Sequence, residues 1–202
     1  MKTTIASAAL AGFIASAQAQ FVDRYFDLMS VLPGSPIDSQ NIEAAGQHLW
    51  IGGGSAHYCP SSVDASNGCP HTTFTNFASN KYTYGELLMG ANVPGGQTVY
   101  IDATCGALRY TQAHSAVMPN DAILVKWTLT QPAGASYQTL NWAGQGGSAL
   151  GHEGLLACNG TEGGEGRYGI YANIGITPPG HCLGFEAVTT RISGSPAAWQ
   201  YI

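Results

Sequence analysis

Apolar and polar residues alternate in short runs along most of this 202-residue chain, and Gly, Pro, Asn and Asp clusters interrupt the runs. Period-two alternation of this length is the signature of strands with one buried face joined by turns. It predicts strands over 48–51, 97–102, 107–114, 122–130, 136–142, 167–174 and 184–191. In the second of these, Thr98, Tyr100 and Asp102 fall on one face and Val99 and Ile101 on the other. Val125, Trp127 and Leu129 alternate in the same way and are expected to point inward. Pro94-Gly95-Gly96 precedes the run at 97–102, and Ala103-Thr104-Cys105-Gly106 links it to the next as a hairpin with glycine at the positive-φ position. One apolar face per strand predicts two packed sheets, so the expected fold is an all-β, single-domain β-sandwich or barrel. The stretch 21–31 looks amphipathic and is cut off by Pro33-Gly34-Ser35-Pro36. Residues 20–40 therefore read as an N-terminal arm and 41–202 as the β-rich domain.

The first 19 residues change the picture of where the chain acts. Lys2, the apolar and small stretch from Ile5 to Ala17, and Ala17-Gln18-Ala19 form a signal peptide with its small-x-small cleavage site. Cleavage after Ala19 takes 19 of the 202 residues and leaves 183, a length that suits one domain. Without Lys2, six Lys and Arg face twelve Asp and Glu, and no basic cluster occurs, which argues against nucleic acid or an anionic membrane as partner. Charged residues are only 9% of the chain, against roughly 25% in an average soluble protein. The polar surface must then come from hydroxyls, amides and backbone, which suits a protein that settles into a polysaccharide matrix or self-associates.

Five cysteines in an oxidising compartment allow two intramolecular disulfides and leave one thiol. Five choices of the odd cysteine, each with three pairings, give fifteen arrangements, and sequence alone does not choose among them. Cys59 and Cys69 bracket a polar loop that no buried strand could contain, and Cys158 and Cys182 enclose a segment bounded by Gly-rich turns. These spacings favour Cys59 with Cys69 and Cys158 with Cys182, each worth roughly 3 kcal/mol on the loop-entropy account. Cys105 is then the free or intermolecular thiol, available for a disulfide-linked dimer or a link to another protein.

Four stretches together resemble the fungal phialide cell-wall protein family, the PhiA-type and IgE-binding surface proteins. They are Ser35-Pro36-Ile37 with Leu49-Trp50-Ile51-Gly52-Gly53, His57-Tyr58-Cys59-Pro60 and Cys69-Pro70; Val93-Pro94-Gly95-Gly96-Gln97-Thr98-Val99-Tyr100 leading through Gly106-Ala107-Leu108 to Tyr110-Thr111-Gln112-Ala113-His114-Ser115; Gly154-Leu155-Leu156-Ala157-Cys158; and Cys182-Leu183-Gly184-Phe185-Glu186-Ala187. Their order and spacing, more than any one phrase, carry the resemblance. It implies a secreted, non-enzymatic protein of the fungal cell wall, linked to phialide and conidium development and hence to sporulation, with allergens among its members. It also supports the same two disulfides, and no motif in the chain calls for a cofactor. Cys105 departs from the resembled pattern.

Other candidate sites are weaker. Asn159-Gly160-Thr161 is an N-glycosylation sequon beside Cys158. His48, His57, His71, His114, His152 and His181 form no local metal-ligand spacing. The run Gly144-Gln145-Gly146-Gly147-Ser148-Ala149 mimics a dinucleotide fingerprint but lacks the helix that would hold phosphates, and Ser148 lacks the nucleophile-elbow context because Leu150 stands where glycine is needed. Asp102, Glu153, Glu162, Glu165 and Glu186 offer carboxylates without a motif. Among Trp50, Trp127, Trp142 and Trp199, the Gly- and Pro-flanked Trp142 and Trp199 are the expected glycan contacts, since aromatic faces stack on sugar rings. The expected partners are cell-wall polysaccharide or other wall proteins. The alternative is a released glycan-binding, lectin-like or effector-like module.

Overall fold

The computed structural model describes residues 24–80, 85–144, 153–160 and 166–202. The signal peptide, Gln145 to His152, and Thr161 to Glu165 lie outside the described residues. Within them the chain is built from antiparallel strands and one short helix. The strands are β1 (Tyr25–Val31), β2 (Ile42–Ala45), β3 (His48–Ile51), β4 (His57–Tyr58), β5 (Asn76–Asn80), β6 (Glu86–Met89), β7 (Val99–Ile101) and β8 (Leu108–Tyr110). They continue as β9 (Trp127–Thr130), β10 (Thr139–Trp142), β11 (Leu155–Cys158), β12 (Tyr168–Ala172), β13 (Cys182–Ser193) and β14 (Gln200–Tyr201), with the helix α1 at Ser61–Asp64.

Twelve strands share one hydrogen-bonded sheet whose main path runs β6-β5-β1-β13-β11-β12-β3-β8-β7, while β4 and β14 form a separate pair. The ends of that path meet. Met89 N donates to Gln97 O at 2.9 Å, and Leu88 bridges Thr98 antiparallel. The all-β expectation holds, and the apolar faces belong to one continuous sheet rolled on itself instead of two separate ones. Curvature comes from β13, whose twelve residues pair with β11 over Cys182 to Phe185 and with β1 over Glu186 to Ser193. Rolling the sheet buries Phe26, Phe77, Leu49, Ile51, Val99, Ile101, Tyr110, Trp142, Ile170 and Tyr201 in one core.

Residues 25–31 are not an arm. β1 lies between β13 and β5, and Phe26, Leu28 and Ser30 alternate into the core. The buried Ser30 hydroxyl disguises that alternation in the sequence; it is satisfied by the carbonyls of Ile37 and Gln40. The run 122–130 is also corrected. Lys126 adopts a positive φ of 80°, so only Trp127–Thr130 is strand, and Val125 is exposed. The expected hairpin is present: β7 pairs with β8, and Gly106 has φ +83°.

Buried amides lock the C-terminal segment to this frame. Gln97 Nε2 donates to the carbonyls of Thr111 (2.9 Å) and Tyr201 (3.0 Å), and Gln97 Oε1 accepts from Tyr201 N (2.8 Å). Asn76 Oδ1 accepts from Ala197 N at 3.0 Å, and the Tyr110 hydroxyl donates to Ile202 O at 3.0 Å. Both expected disulfides form, Cys59 with Cys69 and Cys158 with Cys182. The second joins directly opposed residues of β11 and β13.

Candidate functional site

A strand that sends Leu49 and Ile51 to the core must send His48 and Trp50 the other way, and the same alternation turns Ala107, Arg109 and Tyr171 outward. Register brings these side chains together: His48 pairs with Arg109, and Ala107 bridges Tyr171. With Cys105 from the β7–β8 turn, and with Gly160 and Pro179 as further walls, they line a cavity of about 320 Å³. Its size is at the low end of ordinary small-molecule sites, roughly 300–1,000 Å³.

The groups in the groove hold one another. Arg109 Nη1 lies 2.9 Å from His48 Nε2, and its Nε lies 3.3 Å from Asp102 Oδ2 as an ion pair without hydrogen-bond alignment. A guanidinium only donates, so this contact uses a lone pair on His48 Nε2. His48 also stacks on Trp50, with centroids 5.5 Å apart and planes 25° apart, while Trp50 Nε1 donates to Ala45 O at 2.9 Å. Burial by itself lifts the Asp102 carboxyl, but the Thr104 hydroxyl and N–H, together with Arg109, outweigh it and hold the group below its ordinary range. Asp102 therefore stays ionised, and the Arg109 charge is cancelled inside the groove. Cys105 is half-buried, carries no disulfide, and packs on the outer-face cluster that contains Cys158 and Tyr171.

The sequence placed the aromatic contacts elsewhere. Trp142 is 1% exposed and faces Trp127 across the β9–β10 ladder, so it cannot stack on a glycan. Gly144 lies just past the end of β10, and the ring itself fills the core. Trp199 is half-buried with its indole N–H turned inward. Asn159 is exposed, and its Oδ1 accepts from His181 N at 3.0 Å. His57, His71, His114 and His181 are exposed at separate points, and no group of three or more metal-ligating side chains comes together among the described residues. Trp50 and Arg109 were missed as site residues; the signal that could have found them is the alternation of β3 and β8, which turns both outward beside an unpaired cysteine.

Comparison with known proteins sets the chain among secreted proteins. The family model described as PhiA-like secreted protein matches residues 26–202. An uncharacterized secreted protein of Arthroderma benhamiae is 33% identical over 178 residues, covering 82% of this chain and 79% of the relative. No solved structure matches the chain.

Proposed function

Since this chain belongs to the PhiA-like secreted protein family, we propose that it is a non-enzymatic component of the cell wall of a filamentous fungus, held there by contacts with wall polysaccharide. It acts in the wall of spore-bearing cells, the phialides and conidia. The observation that carries the non-enzymatic reading is the mutual engagement of the groove's titratable groups. A thiol nucleophile needs a base with a free lone pair beside it, and the His48 lone pair is engaged by the Arg109 cation. A chain with 9% charged residues and two disulfides also suits long residence in a polysaccharide matrix.

Retention by polysaccharide contact is favoured over a disulfide link, because Cys105 is half-buried in a groove where a second chain has little access. The test is sedimentation of the purified protein with isolated, washed walls. It is expected to pellet with the walls in moderate salt, and neither reductant nor Cys105→Ser is expected to release it. Release by reductant would move the anchor to Cys105, and no pelleting at all would favour a module that works in the medium.

A further inference from the structure

We propose that the groove between β3, β8 and β12 is a binding site for one N-acetylglucosamine unit of a neutral glycan. The inference rests on the wall reading only for the source of the sugar; the site is argued from its own chemistry.

Three properties restrict the ligand. The charge of Arg109 is cancelled by Asp102 at 3.3 Å, so the groove offers directional hydrogen bonding without a net field, which suits a neutral ligand over a phosphate or a uronate. The lining combines the exposed Pro179 and the outward edges of Trp50, Tyr171 and Ala107, which are 6%, 8% and 3% exposed, with the polar edge of Arg109. A pyranose has that division: a C–H face for apolar and aromatic surface, and hydroxyls for the polar edge. An acetamido group adds a carbonyl to accept from the guanidinium and a methyl for the apolar corner by Ala107 and Cys105. A cavity of about 320 Å³ is of a size to take a single ring and is too small for a protein segment with its own side chains.

Cys105 makes the site measurable, because it is the one cysteine outside the two disulfides and it lines the same groove. The experiment is alkylation of the intact secreted protein by a maleimide, with triacetylchitotriose titrated in and laminaritriose as the parallel arm. Alkylation requires an accessible thiolate, so chitotriose is expected to slow it by about 10-fold at saturation. The thermal midpoint should rise over the same concentration range, as it must when a ligand binds only the folded state. Arg109→Met should weaken both the protection and the stabilisation by chitotriose, each read against that variant's own unliganded labelling rate and midpoint. Absence of both slowing and stabilisation overturns the site, and so does protection by laminaritriose without protection by chitotriose. Wall sedimentation that persists when chitotriose binding is absent separates failure of this site from failure of the wall reading.

Discussion

At the scale of single residues, two buried groups and two half-buried carboxylates decide how the molecule responds to change. Gln97 satisfies two carbonyls and one N–H that have no access to water. Gln97→Leu leaves them unpaired, and denaturant unfolding is expected to show a loss of roughly 2–4 kcal/mol. Glu43 is 4% exposed, with Oε2 accepting from Thr75 N at 2.9 Å. Burial lifts its carboxyl above the ordinary range, the Thr75 hydroxyl and N–H pull it back in part, and nearby Asp27 lifts it further. Asp27 is itself raised by burial, against the attraction of Arg191. A carboxyl that holds its proton more tightly in the folded state stabilises the fold below its ordinary titration at about pH 4, and that contribution is lost as pH climbs through the raised value. Stability should therefore fall from mildly acid toward neutral pH. Thermal melts of Glu43→Gln across that window should show a flatter dependence, and an unchanged slope would assign the effect to other groups. Asp102 works in the opposite sense, since its carboxyl is held low and its contribution disappears only as pH falls further.

At the scale of elements, the joints are as informative as the strands. Gly106 ends the β7–β8 turn at φ +83°, its O accepts from Ala172 N at 2.8 Å, and a Cβ there would stand 2.7 Å from Ala172 O. Gly106→Ala is expected to cost roughly 1–3 kcal/mol by strain and to loosen β12 from β8, which amide exchange at Ala172 would report. β1 should be among the slowest-exchanging strands, because it is paired on both edges. Legibility from sequence followed the purity of alternation. β3 was read with its observed bounds, and β7, β10, β12 and β13 fall within or beside the expected runs. β1 was missed because Ser30 occupies a core position, and β5 and β6 because Asn76 and Glu86 blur short strands. The run at 122–130 read as one strand because nothing in its composition shows that Lys126 turns left-handed, a conformation held by its Nζ bond to Gly144 O at 2.8 Å. The groove was illegible for a different reason: it exists only after β3, β8 and β12 are set side by side, and their separation in sequence hides that.

At the scale of the whole molecule, the rolled sheet and two disulfides make a stable carrier, and one outward face bears the charge-neutral groove. The disulfides were legible because Cys59 and Cys69 bracket a polar loop and Cys158 and Cys182 enclose a segment bounded by Gly-rich turns, whereas Trp142 was misplaced on the surface because a flanking glycine marks a strand end as readily as an exposed ring. The central claim concerns where the protein resides and what holds it. The most direct measurement is fractionation of the native protein between culture medium and washed walls of sporulating cells, with parallel extraction by salt, reductant and chitinase. The account predicts that most of the protein stays with the wall through salt and reductant and is freed by chitinase. Recovery of nearly all of it in the medium would contradict the account.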